Sequence, residues 1–357
     1  MNIIIITHTK QGSGGARQAL YQAQGLMRAG HTVHFVSRPN FELRKVDPAI
    51  NWVDLPEGLC ALSRTLRSLM PSGEPTVVHA FHNKSVKWLS YLGTLWRLKG
   101  LPVACVAHRG VTNRPGNPLP YLLPGIRTYV VNAVETGKML PLLWRKKRWR
   151  FVNNCLPADR LQTTRSAGEI RKELGIPESS MIIGYVGHDK PEKGAGEMLE
   201  AYVSVRHKLP ASCLVMVGLN HDTWRARAEE LGIAEDVRII PRTEHVADYV
   251  QIFGLLVFPS YFIESQPNVI MEAMSMQKPV IGSDIGNIKE MIGAEFTFKG
   301  GDVGQIGQKL LEVAGDSRLL ARMAENNFAK SADFSEQSRL ETILGIYREV
   351  LAEDGLL

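Results

Sequence analysis

"NIIIITHTKQGSGGARQALYQAQGLMRAGHTVHFVS", residues 2–37, contains four segments in a fixed order: an apolar run, a glycine-rich turn, a helical pattern and a second apolar run. Four consecutive isoleucines predict a short strand of the kind that is buried on both faces of a parallel sheet. A glycine-rich turn follows, and apolar residues then recur at helical spacing until Gly30 ends the helix as a C-cap. The run "HTVHFVS" predicts the next strand. Strand, glycine loop, helix and strand together predict a βαβ unit.

The same rhythm continues along the chain and restarts after a polar segment. In the first half, the runs "TVVHAF" (76–81), "PVACVAH" (102–108) and "TYVVN" (128–132) predict further strands. In the second half the predicted strands are "MIIGYVG", "SCLVMVG", "VRIIP", "LLVFPS" and "KPVIGSD". We therefore predict an α/β fold with two Rossmann-like, doubly wound parallel-sheet domains.

The changes of pattern also predict where the domains begin and end. We expect an N-terminal domain over residues 1–157, a polar linker over 158–180 and a C-terminal domain over 181–334. The remaining residues, 335–357, carry apolar side chains at the i, i+3, i+4, i+7 spacing of an amphipathic helix.

Composition narrows the class of protein. A chain of 357 residues with a net charge of +6 permits an anionic partner without choosing one. Its four cysteines form no CxxC pair, which favours reduced thiols and a cytoplasmic location. We expect no signal peptide at the first ten residues and no membrane span, because no apolar run reaches ~18–20 residues. Any membrane contact is then peripheral.

Two glycine-containing loops stand at predicted ends of strands. "GSGG" (12–15) joins a strand to a helix, where backbone N–H groups and the helix dipole favour an anion such as phosphate. Arg17 interrupts the GxGxxG pattern, which argues against a nicotinamide cofactor. The alternative is a tight turn that needs glycine for its backbone alone.

The loop "GHDKPEKG" (187–194) takes the corresponding place in the second half. Lys190 and Lys193 lie close to the predicted carboxyl end of a strand, and lysine is a suitable point charge for a diphosphate. Gly194 lets the backbone approach a ligand. The alternative is that both lysines are ordinary solvated surface residues.

The strongest signal is "ESQPNVIMEAM" (264–274), which places two carboxylates around a predicted helix start. Pro267 suits the first helical position, and the N–H groups of Asn268 and Val269 then point out of the helix N-terminus.

Glu272 lies one turn into that helix, where a carboxylate can accept two hydrogen bonds from a vicinal diol. Glu264 lies just before the turn. One carboxylate for a ribose, one for a sugar and a diphosphate between them predict a nucleotide-sugar site. Helix-dipole stabilisation is the alternative, but it explains Glu272 and not Glu264.

The segment "ESQPNVIMEAMSMQKPVIGSDIGNIKEMI" resembles the Glu-x7-Glu block of retaining glycosyltransferases with the GT-B fold, family 4. The resemblance extends over nearly the whole chain through "PVACVAHRG", "VVNAVETGKML", "FVNN" and "YVGHDKPEKG", in the expected order. It implies two Rossmann-like domains that face a central cleft. It also implies a terminal helix that packs back on the N-terminal domain.

The resemblance also implies roles for individual residues in the first half. Gly14 and Gly15 are expected against the donor phosphate. His108 is expected to touch the donor sugar near the reacting centre, although a histidine at the end of a strand is often a structural group. His79 and His82, near another strand end, have no assigned role.

In the second half, the resemblance implies that Lys193 neutralises the diphosphate, Glu264 contacts sugar hydroxyls and Glu272 binds the ribose. The chain departs from the family at His188, where an arginine is usual. Lys190 or Arg242 is the candidate substitute for the missing charge. The remaining expected donor contacts come from the block itself: Ser265, Gln266, Pro267, Asn268 and Val269.

These residues match the loss of a nucleoside diphosphate from a sugar. Lysine and helix N–H groups stabilise a departing dianion, so neither a metal nor a further cofactor is needed to explain the site. We therefore expect a retaining, metal-independent enzyme of the hexosyltransferase type, with a nucleotide-diphosphate sugar as donor. The sequence does not identify the base, the sugar or the acceptor.

"LLWRKKRWR" (142–150) packs five cations and two tryptophans into nine residues. Between Trp144 and Arg150 it suits anionic lipid headgroups or an anionic glycolipid acceptor. The alternative is a solvated loop whose tryptophans pack on the domain. We expect the acceptor to be a lipopolysaccharide or another cell-surface glycan precursor, made at the inner face of the cytoplasmic membrane. Nucleic acid binding fits only the charge and is not expected.

Three other classes of function remain open. A nucleotide-sugar epimerase of the same fold is opposed by the Glu-x7-Glu block, and a phosphorylase by the lack of a candidate region for a pyridoxal-phosphate lysine. A nucleotide-sugar-binding protein without turnover is kept open by His188.

Overall fold

The computed structural model describes residues 1–111, 113–141, 149–209, 211–262 and 264–356. The chain divides into two compact units. The first consists of Met1–Cys155 and Ser335–Leu357, and the second of Leu156–Phe334. Each unit is built on its own sheet.

Within the described residues, the first unit has one sheet of seven parallel strands in the order β3-β2-β1-β4-β5-β6-β7. The strands are β1 (Asn2–Thr7), β2 (Thr32–Ser37), β3 (Asn51–Asp54), β4 (Thr76–Phe81), β5 (Val103–Arg109), β6 (Thr128–Val131) and β7 (Trp149–Phe151). The chain order reverses between β1 and β4. In open α/β sheets, such a switch point is where ligands bind.

The sheet of the first unit is covered on both faces. Ile3 and Ile5 of β1 belong to one buried cluster, and Ile4 and Ile6 belong to another, as the two-residue period of a strand requires. The helices are α1 (Gly14–Arg28), α2 (Leu59–Ser68), α3 (Asn83–Leu98), α4 (Leu119–Leu122) and α5 (Val134–Lys138). Gly30 follows α1 with a φ of +79°, as expected of a glycine C-cap.

The second unit has one sheet of six parallel strands within its described residues, in the order β10-β9-β8-β11-β12-β13. The strands are β8 (Met181–Val186), β9 (Ser212–Val217), β10 (Val237–Ile240), β11 (Leu255–Phe258), β12 (Val280–Ser283) and β13 (Thr297–Phe298). The order reverses between β8 and β11. The predicted class of fold, with two Rossmann-like parallel-sheet domains, is confirmed.

Eight helices accompany this sheet in the part of the unit that the structure describes. They are α6 (Ala167–Glu173), α7 (Ala195–Val205), α8 (His221–Glu230), α9 (Val246–Val250), α10 (Asn268–Ser275), α11 (Ile288–Ile292), α12 (Val303–Ala314) and α13 (Ser317–Ser331). The predicted linker, 158–180, lies inside this unit. There α6 starts with a capping box between Ser166 and Glu169, and Ile170 and Ile176 are buried in the core.

A last helix, α14 (Glu336–Glu353), belongs to the first unit. Its N-cap, Ser335, accepts a hydrogen bond from the Ser338 N–H at 3.1 Å. Ile343, Tyr347 and Leu351 are fully buried in the cluster on one face of the first sheet. This part of the core therefore comes from both ends of the described sequence.

Three short strands, β3, β7 and β13, were not predicted. Each has two to four residues and lies at an end of its sheet, where polar and apolar residues mix and the pattern is weak. β7 lies inside the basic stretch. Of that stretch, residues 142–148 lie outside the described residues, so the lipid-surface hypothesis stays a prediction.

Trp149 and Arg150 are described, and both take part in the fold. Trp149 packs against the core and would overlap a side chain at Gly137, while Arg150 forms an ion pair with Glu349 of α14. Across the ranges that the structure describes, no helix has the length and apolar character needed to cross a membrane.

Candidate active site

In the second unit, two loops follow the strands at the switch point. The loop after β8 (187–194) packs on the segment after β11, because Tyr261 N–H and Ser260 Oγ donate hydrogen bonds to the Glu192 carbonyl at 3.0 and 3.1 Å. Gly194 has a φ of +74°, and a Cβ there would lie 2.5 Å from the Pro259 carbonyl oxygen. Only glycine fits at this position.

The loop after β8 gathers positive charge around His188. Loss of solvent around its ring lowers the pKa of His188 most, and the charges of Arg242, Lys193 and Lys190 lower it further. Glu264 acts in the opposite direction. The structure thus brings Lys190, Lys193 and Arg242 close to His188, the position where the family usually has an arginine. The ring of His188 itself stays neutral at pH 7.

Lys193 and Glu264 form an ion pair, although they are 71 positions apart in sequence. Both side chains are about four-fifths buried. The backbone at Glu264 depends on Gly286, which has a φ of +56° and whose Cβ would overlap the Glu264 carbonyl oxygen. Asn287, which follows Gly286, donates a backbone hydrogen bond of 3.2 Å to the carbonyl of Ser265, which follows Glu264. Two separate turns therefore define the place of this carboxylate.

Helix α10 starts directly after that turn. Asn268 is its first residue, and Pro267 is the N-cap, with an extended ψ of 131°. The sequence predicted Pro267 one position further in, at the first helical residue. The N–H groups of Asn268 and Val269 lie in the first turn and have no acceptor inside the helix. Gln266, immediately before the cap, is buried.

Glu272, one turn into α10, is 1 % exposed and pairs with a residue that the sequence analysis missed. Arg160 donates to Oε1 of Glu272 from both Nη2, at 2.5 Å, and Nε, at 3.1 Å. Burial raises the pKa of Glu272, and the Arg160 guanidinium opposes this shift. Arg160 belongs to a short 3₁₀ turn, Ala158–Leu161, within the segment predicted as a linker.

The first unit has a different arrangement at its switch point. Gly14 and Gly15 are the first two residues of α1. A Cβ at Gly15 would lie 3.4 Å from Nε2 of His82, whereas the space beside Gly14 is open. His82 has a φ of +69°, and its Nδ1 lies 2.8 Å from Oγ1 of Thr7. A strained, non-glycine residue at the end of a strand is a frequent feature of functional sites.

His108 is buried in the first unit and belongs to a row of rings. It stacks on Phe81 with the ring centroids 4.8 Å apart, and Phe81 stacks on His79 at 4.7 Å. Burial, followed by the charge of Arg339, lowers the pKa of His108. The same causes lower the pKa of His79 to about 3. Both rings are therefore neutral at physiological pH.

A hydrogen-bond network behind these rings was also missed from the sequence. Arg339 donates to Oε1 of Gln22 at 3.2 Å, which leaves the Gln22 amide nitrogen facing Nδ1 of His79 at 2.9 Å. The hydroxyl of Tyr347 lies 2.7 Å from the same Nδ1. Because Arg339 can only donate, it fixes the orientation of the Gln22 amide. The amide nitrogen can also only donate, so Nδ1 of His79 accepts its hydrogen bond and the ring carries its proton on Nε2.

The predicted residues therefore fall into two groups. Gly14, Gly15 and His108 lie in the first unit, and the predicted donor residues from His188 to Glu272 lie in the second. Arg160, Gln22, Tyr347 and Arg339 had no local motif to mark them. Their partners are between 57 and 325 positions away in sequence.

A charged loop, a helix start and two carboxylates thus lie at the switch point of a parallel sheet, which is where α/β proteins of this class bind their ligands. Comparison with known proteins refines this class. The profile of the family described as "Glycosyl transferases group 1" matches residues 166–330. Residues 166–330 are therefore similar to a glycosyltransferase group 1 domain, and the chain as a whole has the GT-B fold.

Known proteins resemble the chain at low identity. A D-inositol 3-phosphate glycosyltransferase of Corynebacterium glutamicum is 26% identical over 206 residues, which cover 54% of this chain and 49% of that protein. The chain thus spans about half the length of the curated relatives it matches.

Two solved structures share the fold along the whole chain. A glycosyltransferase of Rickettsia africae has a TM-score of 0.83 at 18% identity and covers 98% of both chains. Anabaena HepE in complex with UDP has a TM-score of 0.81 at 15% identity, covering 98% of this chain and 100% of that one.

Proposed function

We propose that this protein is a retaining, metal-independent glycosyltransferase that moves a sugar from a nucleotide-diphosphate sugar to a glycan or glycolipid acceptor. The observation that carries the proposal is the arrangement around α10 in the second unit. There Lys193 is paired with Glu264, the helix N-terminus follows, and Glu272 lies one turn further on. The family match covers this region, and HepE, which shares the fold, binds UDP.

Each part of this arrangement suits one part of a donor. The first-turn N–H groups of α10 and the ammonium group of Lys193 suit a diphosphate, because preorganised donors stabilise the charge that grows on the leaving group. Glu264 suits the hydroxyls of the sugar. Glu272 suits the hydroxyl pair of the ribose, since a carboxylate accepts hydrogen bonds from both.

The pair between Lys193 and Glu264 suits a site that exchanges partners when the donor arrives. A diphosphate competes with Glu264 for the lysine, and sugar hydroxyls compete with the lysine for Glu264. Both side chains keep about a fifth of their surface exposed, so neither exchange opens the core of the unit. Lys190 and Arg242 add positive charge around the same place, beside the neutral ring of His188.

The acceptor is proposed to be a cell-surface glycan precursor, such as one for lipopolysaccharide, handled at the inner face of the cytoplasmic membrane. Its support is the resemblance together with the basic stretch at 142–150. Contact with anionic lipid through residues 144–150 is part of the same proposal. Neutralising the arginines and lysines of this stretch should lower binding to anionic vesicles at low salt, and an unchanged, salt-insensitive association would oppose it.

The test of the function is release of nucleoside diphosphate from a panel of nucleotide sugars, with and without acceptor extracts. We expect release from one donor, unchanged by EDTA, and a product with the anomeric configuration of the donor by NMR. Donor binding without release would favour the non-catalytic binding protein. Conversion of the donor to an epimer without transfer would favour the epimerase.

The two glutamates provide the site-specific part of the test. Glu264→Gln should mainly lower turnover, and Glu272→Gln should mainly weaken donor binding. Arg206→Met is the matched control, because Arg206 forms an exposed ion pair with Asp236 in the same unit. If both glutamate variants keep the affinity and rate of the control, the site is wrongly placed.

A further inference from the structure

We propose that Arg160 is a positioning residue for ribose recognition: it holds one oxygen of Glu272 and leaves the other oxygen for the hydroxyls of the nucleotide. This inference rests on the proposed function, because it takes Glu272 as the ribose-binding carboxylate. It adds a residue outside the 264–274 block to the donor site. Arg160 is 112 positions away from Glu272 in sequence.

The first argument is the uneven use of the two carboxylate oxygens. Both donors of Arg160 reach Oε1, at 2.5 and 3.1 Å. Within the described residues, no hydrogen bond reaches Oε2 of Glu272, and this oxygen keeps some contact with solvent although the residue as a whole is only 1 % exposed. Buried carboxylates normally have all their oxygens satisfied. An open acceptor oxygen on a buried, oriented carboxylate is a suitable partner for a ligand hydroxyl.

A second buried carboxylate in the same unit shows what a purely structural pair looks like. Asp248 is fully buried, and both of its oxygens are occupied. Its Oδ1 accepts from the Thr164 N–H at 2.6 Å and the Arg165 N–H at 3.3 Å. Its Oδ2 accepts from Thr164 Oγ1 at 2.7 Å and Arg165 Nε at 3.2 Å. Asp248 has no acceptor left for a ligand, in contrast to Glu272.

The second argument is the chemistry of the arginine. Its guanidinium stays charged and presents donors in a planar fork, so it fixes the carboxylate plane as well as its charge. Its side chain is 28 % exposed, so the cation itself keeps contact with solvent. Burial alone would favour the neutral acid at Glu272, and the guanidinium acts against this. Arg160 thus favours the ionised form of Glu272, which accepts hydrogen bonds from a diol.

The experiment measures how well the protein distinguishes ribose from deoxyribose. UDP, ADP and GDP are titrated by calorimetry into the full-length protein, together with their 2′- and 3′-deoxy forms. We expect the preferred nucleotide to bind the wild type about tenfold more tightly than its deoxy forms, as for a hydrogen bond to a charged group. In Arg160→Met this ratio should fall to about twofold or less, and Arg160→Lys should lie between.

Two readouts separate positioning from a general loss of structure. Arg165→Met removes the structural pair with Asp248 and should lower the melting temperature while keeping the ribose ratio of the wild type. In Arg160→Met the carboxyl at Glu272 loses its cation, so its pKa rises further. The ribose ratio of that variant should therefore recover partly as the pH rises from 6 to 8.

The outcomes distinguish the inference from the function on which it rests. A wild-type protein that binds none of the three nucleotides overturns both. If the wild type distinguishes ribose from deoxyribose and both Arg160→Met and Arg160→Lys keep the wild-type ratio, the role of Arg160 is overturned and the proposed function stays intact.

Discussion

The two sheets carry groups of different electrostatic character toward their carboxyl ends. In the first unit, His79 and His108 are buried, neutral and stacked on the ring between them. In the second, Lys193 and Glu264 are charged and paired, and each remains partly exposed. One fold thus holds fixed, neutral rings in one unit and an exchangeable ion pair in the other.

This difference has a physical cause. A neutral ring can be buried with two or three hydrogen bonds, but a buried charge needs a partner and is costly to leave alone. The first unit therefore fixes its rings through Gln22, Tyr347 and Arg339. The second unit leaves the pair of Lys193 and Glu264 partly exposed, where a ligand can replace the partner. We expect substitutions in the first unit to change stability and those in the second to change ligand affinity.

The largest expected effect is a loss of stability in the second unit, where we otherwise expect changes in ligand affinity, and it concerns the backbone. Gly286→Ala places a Cβ on the Glu264 carbonyl oxygen at a φ of +56°. We expect it to destabilise the second unit by about 3–5 kcal/mol, because backbone atoms on both sides must move. Chemical denaturation followed by circular dichroism measures this loss.

Gly168→Ala is the matched control for that change. Gly168 lies in α6 of the same unit, has open space around a Cβ, and gains helix propensity from alanine. It should be neutral or stabilising by about 0.5–1 kcal/mol. Equal stability of the two variants would show that the turn at Gly286 does not hold Glu264 in place.

The second effect is a selective acid sensitivity of the first unit. The pKa of His8 is lowered to about 4 and that of His79 to about 3, chiefly by burial. The unfolded chain binds protons near pH 6.5, whereas the folded unit does not until far lower pH. Its free energy of unfolding should therefore fall as the pH drops from 7 to 5, by about 1 kcal/mol per pH unit for each histidine.

Tryptophan fluorescence follows this loss in the first unit. Five of the six tryptophans lie before residue 156, and Trp224→Phe removes the remaining signal. His8→Gln, which keeps a polar group near Ser85 without titrating, should make the pH dependence shallower. A free energy of unfolding that is constant between pH 7 and 5 would contradict the neutral, buried state of these rings.

The third effect concerns ligand affinity in the second unit. Lys193→Ala should weaken nucleoside diphosphate binding by about tenfold, because a charge-assisted hydrogen bond to phosphate is lost. The affinity should also depend less on salt. Lys190→Ala is the comparison, since Lys190 is exposed and should cost less. A larger effect at Lys190 than at Lys193 would reverse the assignment of the two lysines.

The smallest effect tests the network of the first unit. Tyr347→Phe removes one hydroxyl that lies 2.7 Å from both the Gln22 amide nitrogen and Nδ1 of His79. We expect a loss of about 1 kcal/mol in stability, with no change in nucleoside diphosphate affinity. Denaturation and calorimetry on the same preparation measure both. A changed affinity without a change in stability would reverse the contrast between the two units.

Much of the fold followed from local patterns in the sequence. The inner strands are β-branched runs such as "NIIII" and "MIIGYV", which few other structures accommodate, and they predicted both sheets. The edge strands β3, β7 and β13 were missed because they have only two to four residues and a mixed polar and apolar pattern, whereas the edge strand β10 was predicted from its apolar run "VRII". Lys193 and Glu264 were both expected at the donor site, but their ion pair was not predicted.

The partners of the buried groups had no such signal. Arg160 stands in a polar segment that gave no indication of Glu272. Tyr347 lies in the segment that was predicted as an amphipathic helix, and it is a core residue there. Its hydrogen bond with His79 joins residues 268 positions apart and had no sequence signal. Pairings of this kind depend on the three-dimensional packing, so a single sequence predicts the residue types and not the contacts.

The discontinuous first unit has a consequence for the order of folding during synthesis. Its core includes Ile343, Tyr347 and Leu351, which the ribosome adds only after all of Leu156–Phe334 has been made. The second unit is contiguous and can complete its core while the first still exposes the apolar surface that α14 covers. The nascent chain therefore carries an uncovered sheet face for the whole time needed to translate the second unit, which makes this interval its period of greatest need for chaperones.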